Sequence, residues 1–314
     1  MNHNYIIISP VRDEVKTIQL SLDSVLSQTV KPVKWVIIDD GSTDGTEKIL
    51  DEYSKKHGCI HLVSRPFRPE RVVGANIVYV LREGLELIKD LDWSYWVKLD
   101  ADITFPEDHF EQLMQRFDKN PKLGIASGTP FIPLADGRLR LEWTPPHQAV
   151  GMSRMYRREC WQSIGDYAPR RHWDAIDIYT AQMRGWETKS FRELPIIHHR
   201  PIDAMQKKPL ARRYDAGFGY YTAGFHPIYF LVRSIRAMFD EKPYVFSGIS
   251  MYTGYMAAWV SRAKYYDPEL RRFIYDKQGE MLRLINLWNY LQLRVHSQEN
   301  QGISQSNAPE IDDR

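Results

Sequence analysis

Over its first hundred residues the chain alternates short apolar runs with longer stretches of helical periodicity, and few folds accommodate that alternation. Tyr5 to Ser9 (YIIIS), Val33 to Ile38 (VKWVII), Ile60 to Val63 and Tyr95 to Leu99 (YWVKL) read as strands. Between the first two, residues 14–26 place Ile18, Leu22, Val25 and Leu26 at the three-to-four spacing of an amphipathic helix. A second helix, capped by Ser42, Thr43 or Asp44, runs toward Lys56 with Ile49, Leu50 and Tyr53 on one side, and a third covers 73–91. Strands and helices alternating at this interval build βαβ units on a mainly parallel sheet, an α/β class.

In such a sheet the strand ends matter most, because ligands bind at the carboxyl edge. Three of these ends are acidic: PVRDE (Pro10 to Glu14), DDGSTDGT from Asp39, and LDAD from Leu99. In extended D-x-D, Asp100 and Asp102 point the same way, since side chains alternate with period two. Two carboxylates so placed repel unless a cation is near, and a hard divalent ion that also holds a diphosphate is the natural partner. Asp39 and Asp40, followed by Gly41 and a hydroxyl-rich helix start, can accept a base N–H or a ribose hydroxyl while the helix N-terminus favours anions. Asp39, Asp40 and Asp44 are also common turn and cap residues.

Beyond residue 100, Leu123 to Gly128 and Leu139 to Trp143 read as strands, 174–184 as a helix ended by Gly185, and a further strand runs toward Ile197. After Pro201 the texture becomes basic and aromatic, with Lys207, Lys208, Arg212 and Arg213 followed by Phe218 to Tyr221 and Phe225 to Phe230. Pro243 to Ser261 carries no charge, yet Pro243, Gly248, Gly254 and several hydroxyls favour a buried helix or an in-plane membrane contact over a span. Leu270 to Leu293 reads as a long amphipathic helix, and 297–314 as a disordered tail.

Forty-two Lys and Arg against 40 Asp and Glu give +2, which argues against a dedicated nucleic-acid binder. Two distant cysteines suggest neither a disulfide framework nor a zinc site, and no signal-peptide pattern fits the N-terminus, so a cytoplasmic setting is expected. A dinucleotide-binding oxidoreductase would need G-x-G-x-x-G after the first strand, where IIISPVRDE stands, and a nucleotidyltransferase would need a Gly-rich basic loop there.

IIISPVRDE, the LSQT of Leu26 to Thr29, VIIDDGSTDGT, LREGLEL and LDAD, taken in that order, resemble a family 2 glycosyltransferase of GT-A fold. Further on, GMSRMYRRECWQSIGDY resembles the family's acceptor-bordering segment, WDAID stands where Glu-Asp is usual, and HHRP where a trailing His is common. The likeness covers roughly 4–200, implying a nucleotide-sugar-binding catalytic domain over 1–200; the helical region over 201–296 that follows is expected to shape the acceptor site or to meet a membrane surface.

The resemblance implies an inverting transferase moving a sugar from a nucleoside-diphosphate sugar to a hydroxyl of a glycan or lipid-linked glycan precursor. Pro10, Glu14, Asp39 and Asp40 would line the nucleotide pocket. Asp100 and Asp102 would hold ribose and a Mg2+ or Mn2+, with His198 or His199 approaching metal or diphosphate. Asp174 would be the base and Asp177 the second candidate, while Trp173, Arg170 and Arg171 fall on the acceptor side. Trp173 replaces the usual Glu, which leaves open a sugar-nucleotide binder without turnover. No Q-x-x-R-W follows His199, and processive synthases of the family usually carry one, so a single transfer per encounter is expected.

Overall fold

The computed structural model describes residues 4–67, 75–134, 136–142, 147–169, 172–199, 209–240 and 243–283. They form two compact units: residues up to 169 together with 184–199 make the first, and 172–183 together with 209–283 make the second. The tail at 297–314 and the helix expected beyond residue 283 lie outside the described residues.

In the first unit β1 (Tyr5–Val11), β2 (Lys34–Asp39), β3 (Ile60–Ser64) and β4 (Tyr95–Leu99) are parallel, in the order β3-β2-β1-β4. Every residue of β4 and nearly every residue of β1 and β2 is buried, as expected for strands covered on both faces. The helices α1 (Ile18–Leu26), α2 (Thr46–Lys56) and α3 (Ala75–Ile88) are the crossovers. Gly84 lets α3 approach β1 closely, since a Cβ there would stand 2.4 Å from Ile8 Cγ2. Asp44, not a residue at the cap itself, closes the start of α2: the cap position is Gly45, at φ +104°, and Asp44 Oδ1 accepts from Thr46 N at 3.0 Å.

Beyond β4 the sheet becomes mixed, continuing through β8 (Ser153–Arg157), β6 (Leu123–Pro133), β9 (Glu187–His198) and β5 (Ile103–Thr104). β4–β8 and β6–β8 are antiparallel, β6–β9 is parallel, and β7 (Leu139–Leu141) folds back on β6. The acceptor-like segment GMSRMYRREC thus supplies β8 and the start of α5 (Arg158–Ile164). The helix α4 (His109–Lys119) buries Phe110, Leu113, Met114 and Phe117 against the sheet core. Trp96 stacks on Tyr156 across β4 and β8 with ring centroids 4.6 Å apart.

The second unit is helical: α6 (Trp173–Met183), α7 (Pro209–Ala223), α8 (Pro227–Asp240), α9 (Tyr244–Val260) and α10 (Pro268–Met281). Asp267 caps α10 by accepting from Glu269 N and Leu270 N. Gln278 of α10 donates to the Tyr179 hydroxyl of α6 at 3.2 Å.

Candidate active site

Because β1, β2 and β4 run parallel, their carboxyl ends open on one edge, and β1 lies between the other two. Residues just past β2 and β4 are therefore two strand spacings apart, about 10 Å. Pro10, inside β1, pairs in register with Ile38, and Asp40 N donates to Val11 O at 2.9 Å, so the first two acidic segments meet.

The acids of these two segments divide by role. Asp39 is buried and accepts from Ser42 N at 3.0 Å and Ser42 Oγ at 2.5 Å. Burial pushes its carboxyl above the ordinary range despite those bonds. Asp13 Oδ1 accepts from Thr43 N at 2.8 Å, and Asp44 Oδ2 from Val15 N at 3.0 Å. Glu14 is buried, its N–H donates to Thr46 Oγ1 at 2.8 Å, and its carbonyl accepts from Ile18 N at 2.8 Å at the start of α1. These groups lace the two loops together. Asp40 faces cations instead: Arg65 at 3.4 Å and Arg12 at 3.9 Å, with the Arg12 guanidinium 5.0 Å over the Phe67 ring.

At the end of β4, Asp100 N donates to Met152 O at 2.8 Å and its carboxylate pairs with the buried Lys98 ammonium. The Asp100 carboxyl is raised, first by burial and then by the neighbouring Asp102 charge, against the pull of Lys98. Asp102 is buried, and its Oδ2 lies 3.5 Å from His198 Nε2. His198 Nδ1 donates to Glu142 Oε2 at 2.8 Å. Burial alone would push this imidazole down; the bonds to Asp102 and Glu142 overcome it and bring its pKa up to about 10. His199 donates its backbone N–H to Asp102 O at 2.9 Å, its Nε2 is hydrogen-bonded to Thr104 Oγ1 at 2.8 Å, and burial lowers its pKa.

Among the described residues no three His, Cys, Asp or Glu side chains form a ready-made cation cage. A hard divalent ion on a nucleotide needs only one or two protein carboxylates, because phosphate oxygens and water complete its shell. Asp100 and Asp102, two positions apart and each raising the cost of the other's charge, have the chemistry such a donor set requires.

Asp174 and Asp177 belong to the second unit. Asp174 is exposed in the first turn of α6, after His172, whose carbonyl accepts from Ala175 N and Ile176 N. Asp177 is buried, and its Oδ1 accepts from Ile178 N at 2.7 Å; Trp173 is buried. Arg170 and Arg171 lie outside the described residues, as does Trp143. Arg65, Lys98 and Glu142 carry no sequence motif. Lys98 was the accessible one: it precedes Asp100 by two residues and so shares its side of the strand.

Comparison with known proteins gives the site its context. A stretch of 120 residues is 34% identical to a poly-beta-1,6-N-acetyl-D-glucosamine synthase of Staphylococcus epidermidis, covering 38% of this chain and 27% of that relative's length. The fold resembles GalNAc-T7 solved with UDP, GalNAc and Mn2+ (TM-score 0.56, 16% identity, 87% of this chain and 54% of that one). It also resembles the mannosyltransferase PcManGT of Pyrobaculum calidifontis, in complex with GDP-Man and Mn2+ (TM-score 0.52, 16% identity, 94% and 85%). The fold is GT-A, with a helical C-terminal region. The model of glycosyl transferase family 2 matches residues 6–175, more than half of the sequence, and the chain belongs to that family.

Proposed function

We propose that this glycosyltransferase is inverting and metal-dependent, moving one sugar per encounter from a nucleoside-diphosphate sugar to a hydroxyl of a glycan or lipid-linked glycan precursor. The observation that carries this reading is the Asp100–Asp102 pair at the carboxyl end of β4, with His198 beside Asp102.

Asp100 and Asp102 are the residues that would hold Mg2+ or Mn2+, with His198, after giving up its ring proton, or His199 as a further donor. The ion would neutralise the leaving diphosphate as a Lewis acid. Asp40, positioned by Arg12 and Arg65, accepts from the base, and Pro10, Glu14 and Asp39 shape the loop pair around it. Asp174 takes the proton of the attacking hydroxyl as its oxygen bonds to the sugar carbon and the bond from that carbon to the diphosphate oxygen breaks, releasing the nucleoside diphosphate. One base and one displacement invert that carbon. Residues 1–200 carry donor binding in this scheme, and the region 201–296 serves the acceptor.

A thermal-shift screen of UDP-GlcNAc, UDP-GalNAc and GDP-mannose, each with and without Mn2+, tests this through mass action. One donor should raise the melting temperature only with the metal, and release its nucleoside diphosphate when acceptor is added. Stabilisation that ignores EDTA would remove the metal, and binding with no turnover on any acceptor would remove the transferase.

A further inference from the structure

The helices α7, α8 and α9 of the second unit carry apolar surface that the reading above does not use. On α8 the exposed residues Ile228, Leu231, Ile235 and Phe239 follow one another at three and four residues, a single stripe on one face. Phe239, at the end of that stripe, is 74% exposed. On α7 the exposed residues Leu210, Tyr214 and Phe218 repeat at four.

α9 packs between these two helices. A Cβ on Gly248 would stand 2.2 Å from Ser234 O, and Phe230 stacks on Tyr255 with ring centroids 4.6 Å apart, so α8 and α9 run antiparallel. On its other side a Cβ on Gly254 would stand 1.9 Å from Tyr214 O. Closely packed flanks leave α9 an outer face, where Phe246 is 64%, Ile249 45% and Val260 75% exposed. The whole of α9 carries no charged residue. Scattered apolar residues on a surface need no explanation, but three neighbouring helices with such faces do.

Charge supplies the second observation. From Lys207 to Lys264 the chain has nine Lys or Arg and three Asp or Glu, a net of +6, whereas the whole protein carries +2. The remainder is therefore net negative, at −4. The basic excess coincides in sequence with the exposed apolar helices, and Arg212, Arg262 and Lys264 within it are exposed. Apolar and aromatic anchors accompanied by cations meet the two requirements of a bilayer surface, acyl chains below and anionic phosphates above. No helix among the described residues is long and apolar enough to cross a membrane, which directs the contact to the plane of the interface.

We propose that α7, α8 and α9 dock this protein in the plane of an anionic phospholipid bilayer, through Phe239, Phe246 and Val260 with Arg262 and Lys264 at the headgroups. The inference goes beyond the transferase reading and does not depend on it.

The test is flotation of the full chain with vesicles of phosphatidylcholine alone and of phosphatidylcholine with 30% phosphatidylglycerol. Binding should favour the anionic vesicles at least tenfold and weaken in 0.5 M NaCl. Phe239→Gln with Phe246→Gln should abolish it, and Arg262→Glu with Lys264→Glu should lower it about tenfold. All four side chains project outward, so unchanged circular dichroism and melting temperature will show that the variants fold. Flotation untouched by both pairs of substitutions, or absent with both vesicles, would overturn the proposal. A dimer that dissociates in Phe239→Gln/Phe246→Gln, without vesicle binding, would overturn it in favour of self-association.

Discussion

Nε2 of His198 stands 3.5 Å from Oδ2 of Asp102, although 96 positions separate the two residues in the chain. The antiparallel pairing of β5 with β9, which sets Ile103 opposite His198, creates the contact. Asp102→Ala removes the central carboxylate and should cost at least 100-fold in kcat/KM and abolish Mn2+-dependent stabilisation by donor. His198→Ala should weaken Mn2+ binding about 10–100-fold, the scale of losses around metal ligands. Calorimetric titration of Mn2+ in the presence of nucleotide measures both.

Two acids of the DDGSTDGT segment should answer differently to mutation. Asp44→Ala strips acceptors from Thr46 N and Val15 N, and should cost about 1 kcal/mol of stability while leaving donor affinity within a few-fold. Asp40→Asn leaves that lacing intact and weakens the contacts to Arg12 and Arg65. It should lower donor affinity about tenfold, roughly 1.4 kcal/mol, by calorimetry. Urea unfolding beside the titrations separates the two effects.

His109 sets an acid limit on stability. It is buried with neither ring nitrogen hydrogen-bonded among the described residues, and burial depresses its pKa from 6.5 to about 4. The unfolded chain therefore binds more protons between those values, and stability falls as pH drops from 6.5, with the loss complete below about 4. The full effect is at most about 3 kcal/mol. His109→Leu should flatten the difference in urea midpoint between pH 7 and pH 4.5. A slope equal to that of the wild type would assign the acid sensitivity elsewhere.

Asp174→Asn should keep donor affinity and lose transfer by about 100- to 10,000-fold, the range of general-base contributions. Asp177 is buried and holds Ile178 N, so Asp177→Asn should lower the melting temperature while transfer falls less. Single-turnover rates with saturating donor decide between them. Activity that survives in Asp174→Asn and vanishes in Asp177→Asn would move the base to Asp177.

Local periodicity was enough to locate the four parallel strands, their crossover helices and the acids at their carboxyl ends. Burial on both faces leaves an unmistakable apolar run, whereas the extended D-x-D expected at Asp100 and Asp102 is instead a turn at 101–102, past the end of β4. The resemblance to the family followed from the same short-range order. The strands β5 and β8 escaped notice because one is only two residues long and the other, SRMYR, carries two charged side chains that its neighbours accommodate. Long-range pairing alone placed His198 between Asp102 and Glu142 and gave Asp40 its two arginines. Such contacts join residues from different elements, and nothing in the composition of either partner marks them. They arise when strands far apart in the chain take up neighbouring positions in one sheet.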